Sequence, residues 1–139
     1  MQQVPPELKS MNDQLQLILK ENQELGGKKT KLVEARRHLG AQKAENDVVR
    51  DEMNRLEPDS KVYKLIGPAL ILQDQSDAKA IVNNRLEYIN GELKRTDASI
   101  AEIERKERDS QQKAEELFHK MQARHAQIQE KQQQQQQQR

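Results

Sequence analysis

Gly27-Lys28-Lys29-Thr30 carries the residue types that end a phosphate-binding loop, where a lysine and a hydroxyl meet phosphate and its magnesium ion. That loop also needs an upstream glycine and a preceding strand, and this segment has neither, since it interrupts a heptad-patterned helix. His38, His119 and His125 could ligate a metal, but residues six apart do not share a helix face and no cysteine assists them. Acid–base catalysis needs carboxylates converging in a pocket, whereas here they alternate with Lys and Arg on helix surfaces. Lys28, Lys29, Lys31, Arg36 and Arg37 form the densest basic run, without the interleaved aromatics that bind single-stranded nucleic acid. No catalytic residue, cofactor or metal is therefore expected.

The elements that would have to position any such chemistry are poor in core. Of 139 residues, 34% are charged and 33% hydrophobic, with one Phe, two Tyr and no Trp. A compact domain of this size carries about 45–50% apolar residues with glycine counted, so a large globular core is excluded. A long helix with a narrow apolar stripe needs fewer. With 24 basic and 23 acidic residues the net charge is +1, which gathers neither nucleic acid nor anionic lipid. Partners must be recognised by shape and apolar contact. The absence of cysteine, of a secretory apolar region and of a membrane-length apolar run leads to the expectation of a cytoplasmic protein without membrane or nucleic-acid partners.

Heptad spacing supplies the stripe. Met11, Ile18, Leu25, Leu32, Leu39, Asn46 and Met53 are seven apart, the pattern of a coiled-coil seam. A second column begins with Leu8 and Leu15 and is expected to pass to the other flank as Ala35, Val49 and Leu56, with Gly26-Gly27 as a soft point near the changeover. From Val82 the spacing alternates four and three through Leu86, Ile89, Leu93, Thr96, Ile100, Ile103, Glu107, Ser110, Ala114, Leu117, Met121, Arg124 and Ile128. Ten of these fourteen positions are apolar, and Asn46 and Thr96 are read as register-setting polar positions. The expected class is mainly α, a single domain with helices over about 7–57 and 77–130, the second capped by Ser76 or Asp77. A low-complexity tail over 131–139, with glutamine from Gln132 to Gln138, is expected to be disordered.

Between the helices, Val62-Tyr63-Lys64-Leu65-Ile66-Gly67-Pro68-Ala69-Leu70-Ile71-Leu72-Gln73 predicts a β-hairpin over about 61–73, turning at Gly67-Pro68. Helices folded back about it would be antiparallel, bringing Met53 to Val82, Asn46 to Ile89, Leu32 to Ile103 and Ile18 to Leu117. At about 1.5 Å rise per residue, roughly 50 residues in each helix predict an arm of about 70–75 Å. An isolated two-stranded hairpin is marginal in water, and leaving Val62, Tyr63, Leu65, Ile66, Leu70, Ile71 and Leu72 wet would forgo on the order of 10–20 kcal/mol. Its open edges also invite strands from other chains. These seven residues are read as a subunit-assembly element. The alternative is a connector packed on its own helix ends.

Helix, single hairpin and helix, with Val62 to Leu72 followed by Arg85-Leu86-Glu87-Tyr88-Ile89 and Glu92-Leu93-Lys94-Arg95, resembles the β-type subunits of the prefoldin family, the sixth eukaryotic type most of all. The resemblance runs from about residue 8 to 128; Gly26-Gly27 and the glutamine tail depart from it. It implies an ATP-independent co-chaperone of two α-type and four β-type subunits, joined by their hairpins into a double β-barrel body with six coiled-coil arms. Its partners would be the two α-type and three further β-type subunits, unfolded clients such as nascent actin and tubulin, and the cytosolic group II chaperonin.

At the arm's far end the seam requires only Met11, Leu15 and Ile18, yet Leu17 and Leu19 flank Ile18, and Phe118 sits beside Leu117. Leu17, Leu19, Phe118 and Met121 are read as an adaptable client grip, with avidity from several arms. A splayed helix end that wraps them into a wider local core is the alternative. A coiled-coil scaffold or tether remains the competing function; it needs neither an assembling hairpin nor surplus apolar residues.

Overall fold

A computed structural model describes residues 4–138. Helix α1 spans Pro6–Asn54, strands β1 and β2 span Val62–Ile66 and Ala69–Gln73, and helix α2 spans Gln75–Gln137. Proline suits α1's first position, because its missing N–H would have no intrahelical partner there. The helix ends three residues before the expected Glu57. Arg55 and Leu56 N–H groups turn back to the carbonyls of Glu52 and Met53, and Pro58 disfavours a helical Glu57.

The cap of α2 is Asp74, rather than Ser76 or Asp77. Its Oδ1 accepts the Ser76 N–H and the Ser76 hydroxyl, each at 2.8 Å, while its carbonyl accepts the Ala78 N–H at 3.0 Å. At its other end α2 continues to Gln137, so residues 131–137, expected to be disordered, are helical. Glutamine ranks among the better helix formers, and low complexity of itself breaks no helix. Arg139, the last residue of that expected tail, lies outside the described residues.

The strands pair antiparallel, Val62 with Gln73 through Ile66 with Ala69, and Gly67-Pro68 makes the turn. Gly67 has φ +56°, whereas proline holds φ near −65°; positive φ at the first central residue alone is the mark of a type II′ turn.

Two compact units divide the chain, each with its own helix pairing. The hairpin unit, Lys31–Ile100, is cored by Ala78, Val82, Leu86 and Ile89, all at most 6% exposed. Arg36 pairs with Asp97 within a turn of the expected antiparallel register. Asn46 does not reach across the seam: its Nδ2 donates 2.8 Å to the Gln42 carbonyl of its own helix.

The terminal unit, Met1–Thr30 with Ala101–Arg139, buries Leu8 and Ile103. Arg124 Nε donates to Glu7 Oε2 at 2.8 Å, so that seam position is an ion pair across the helices. Lys29 Nζ lies 3.6 Å from Glu107 Oε1 and 3.9 Å from Glu104 Oε1. The second column of α1 does not cross to the other flank. Asn22 and Lys29 continue it half-buried, as do Lys43 and Arg50 in the hairpin unit, with Arg36 between them exposed; of the residues expected on the other flank, Ala35 and Val49 are exposed and only Leu56, beyond the end of α1, is half-buried. Polarity changed along a column that kept its place: long Lys and Arg stems cover apolar surface while their charged ends reach water. At Gly26-Gly27 the helix is continuous, and an added Cβ would meet nothing within 4 Å at either residue.

Candidate functional site

Strand alternation sorts the hairpin side chains into two unequal faces. Tyr63 opposite Leu72 and Leu65 opposite Leu70 share one face, which is entirely large and apolar. The other face combines Val62, Ile66, Ala69 and Ile71 with Lys64 and Gln73. The first face is open to solvent, with Leu65 and Leu70 at 68% and 67% exposure. Ile66 and Ile71 are exposed as well, and of the seven residues predicted to assemble subunits only Val62 is half-buried. A connector packed on its own helix ends would cover these side chains, so the exposure supports the assembly reading.

Gln75 fixes the hairpin's base, a role with no signal in the apolar pattern. Its Nε2 donates to the carbonyls of Glu57 at 3.0 Å and Ser60 at 3.3 Å, tying the start of α2 to the segment entering β1.

In the terminal unit the four residues read as a client grip do not all line one groove. Phe118 and half-buried Met121 line a groove of about 640 Å³ with Val4 and Leu8, whose wall is predominantly apolar. Leu17 and Leu19 are exposed but stand outside that groove. Val4 and Leu8 were missed as groove residues: Leu8 read as seam, and Val4 precedes the periodic pattern. Phe118 is half exposed, so it has not been folded into a wider local core.

The residues weighed for chemistry are dispersed. His38 Nε2 lies 3.4 Å from Glu34, one turn earlier on the same helix, and His125 meets Gln129 one turn later. Arg37 bonds the same Glu34 and holds its carboxyl below the ordinary glutamate range, as Arg105 does for Glu102. Among the described residues no three or more His, Asp or Glu side chains gather as a metal site requires.

A helix, one exposed hairpin and a second helix therefore make up the described chain, and comparison with known proteins settles its kinship. The profile of the family described as Prefoldin subunit matches residues 16–121. The chain belongs to the prefoldin subunit family. Prefoldin subunit 6 of Arabidopsis thaliana is 41% identical over 87 residues, covering 63% of this chain and 67% of that protein. A probable prefoldin subunit 6 of Caenorhabditis elegans is 39% identical over 100 residues, 70% of this chain and 79% of its own. Prefoldin subunit 6 of Homo sapiens is 36% identical over 103 residues, 74% and 78% respectively. Among solved structures, the prefoldin beta subunit from Thermococcus strain KS-1 aligns at 24% identity and TM-score 0.43 over 88% of this chain and 96% of its own. The prefoldin match contains the hairpin, Leu17, Leu19, Phe118 and Met121, and leaves out Val4, Leu8 and the glutamine run.

Proposed function

We propose that this chain serves as the sixth-type β subunit of a hetero-hexameric, ATP-independent prefoldin co-chaperone in the cytoplasm. Its hairpin joins it to two α-type and three further β-type subunits, and the terminal unit holds unfolded or nascent polypeptides, actin and tubulin among them, for delivery to the cytosolic group II chaperonin. The subunit is non-catalytic: binding and release of apolar surface are the whole of its work.

The observation that carries this reading is the solvent-exposed face of Tyr63, Leu65, Leu70 and Leu72. Such a face beside two open strand edges is stable when another strand covers it. For clients, the support is the groove at Phe118 and Met121, since polarisable methionine and a single aromatic ring adapt to varied apolar segments.

Native mass measurement of the co-expressed complex tests assembly. Leu70→Asp with Leu72→Asp is expected to dissociate the complex while the chain keeps its helical circular dichroism. An unchanged mass would reduce the hairpin to a connector and return the scaffold reading. Holding is tested by titrating intact complex against a slowly aggregating client, with half-protection at sub-stoichiometric to equimolar complex expected; no protection at any ratio overturns it.

A further inference from the structure

The hairpin unit carries a second apolar face that its own helix pairing does not use. On α2, Val82, Leu86 and Ile89 point into the pairing with α1 and are at most 6% exposed. One position earlier, Ile81 and Tyr88 are seven apart on one face and 39% and 65% exposed. They line a groove of about 690 Å³ whose other walls are Ile89, the charged Glu45 and Arg85, and the amides of Gln42, Asn46 and Asn84. Val49, one turn beyond Glu45 on α1, is also exposed, as is Val48. Of the large apolar side chains exposed on this unit's helices, only Val33 lies farther than four turns from the hairpin end of its helix.

We propose that this groove is a second assembly surface, which seats an apolar segment of the neighbouring prefoldin subunit beside the hairpin contact. The inference rests on the hairpin's being the assembly element. Continuity favours this occupant: Ile81 follows the last residue of β2 by eight positions, and α2 begins directly after that strand. A subunit paired on the hairpin is thereby delivered to the groove at high effective concentration. The chemistry fits as well. Tyrosine and arginine are residue types enriched at protein interfaces, and one acid, Glu45, and one base, Arg85, leave the groove without net charge, so a partner segment seats its apolar side chains on Ile81 and Tyr88 and needs no charge of its own. A helix whose apolar surface is wider than its partner covers needs another partner.

The test uses the co-expressed complex. Ile81→Gln with Tyr88→Gln, both at exposed positions and both retaining helix propensity, is expected to raise the concentration at half dissociation at least tenfold, with the helical signal of the chain unchanged. Hydroxyl-radical footprinting of the wild-type complex is expected to show Tyr88 protected relative to the chain alone, a readout that does not depend on how the variant folds. If the double variant assembles normally and Tyr88 stays reactive while Leu70→Asp/Leu72→Asp dissociates the complex, this inference falls and the hairpin reading stands. If neither variant affects assembly, the hairpin reading falls and this one with it. Normal assembly with lost client protection would make the occupant a client. Loss of self-association alone would make it a second copy of this chain. Either result overturns the proposal.

Discussion

Asp74 joins the hairpin to α2, and its charge is what makes it effective. The Ser76 hydroxyl, and then the Ser76 backbone N–H, bond its carboxylate and hold it below the ordinary aspartate range. A depressed folded pKa means that this contribution is present above about pH 3.9, the unperturbed value, and is lost as pH falls through the folded one. Asp74→Ala is thus expected to lower the melting temperature at pH 7, with the gap from wild type narrowing as pH falls below the ordinary aspartate range; calorimetry from neutral to acid pH checks it. Gly27 makes a prediction of opposite sign. It is mid-helix and exposed, with room for a methyl group, so Gly27→Ala should stabilise the chain by about 0.5–1 kcal/mol in denaturant titration.

The paired helices draw their stability from few residues. Leu86 is 4% exposed in a narrow seam, and Leu86→Ala removes its buried surface and leaves a cavity, at an expected cost of about 2–5 kcal/mol. A loss under about 1 kcal/mol by chemical denaturation would show that the seam near the hairpin is not a packed core. The terminal unit has the reverse character. Asn22 Oδ1 and Ser110 Oγ are enclosed without hydrogen-bond partners among the described residues. Asn22→Leu should therefore raise the thermal midpoint, because an enclosed polar group without a partner costs about 1–3 kcal/mol. A lowered midpoint would mean that Asn22 is bonded in solution.

Across the described chain, six of the exposed large apolar side chains gather on the hairpin: Tyr63, Leu65, Ile66, Leu70, Ile71 and Leu72. The hairpin's open face and edges predict that the subunit expressed alone associates, and that co-expression with α-type partners restores a defined complex; a stable monomer in sedimentation would remove the assembly argument. At the same scale, changing Leu17, Leu19 and Phe118 together to Ser is expected to leave the complex assembled while raising the amount needed for half-protection of a client. The groove geometry refines that expectation. Phe118→Ser should account for most of the loss, since Leu17 and Leu19 stand outside the groove that Phe118 lines. A lowered melting point without selective loss of protection would return these residues to the local core.

Heptad spacing and composition alone determined that two helices pair through Met11 to Met53 and Val82 to Ile128, because a narrow seam leaves a period of seven that no other element mimics. The hairpin was equally legible: β-branched and aromatic residues cluster around a Gly-Pro pair that breaks helices, and the observed register starts at Val62 and ends at Gln73. Exposure of Leu17, Leu19 and Phe118 followed from their places off the seam, but which exposed side chains gather into one groove was not legible, since that is sorted only once the helices' partners are placed. Tertiary structure decided that Tyr63, Leu65, Leu70 and Leu72 form one open face and that Phe118 and Met121 line a groove with Val4 and Leu8, outside which Leu17 and Leu19 stand. It also decided that the α1 column stays in place through Lys29, Lys43 and Arg50. A hydropathy pattern reads those residues as surface, yet all three are half-buried, as long side chains are when a methylene stem covers apolar surface and the charged end stays in water.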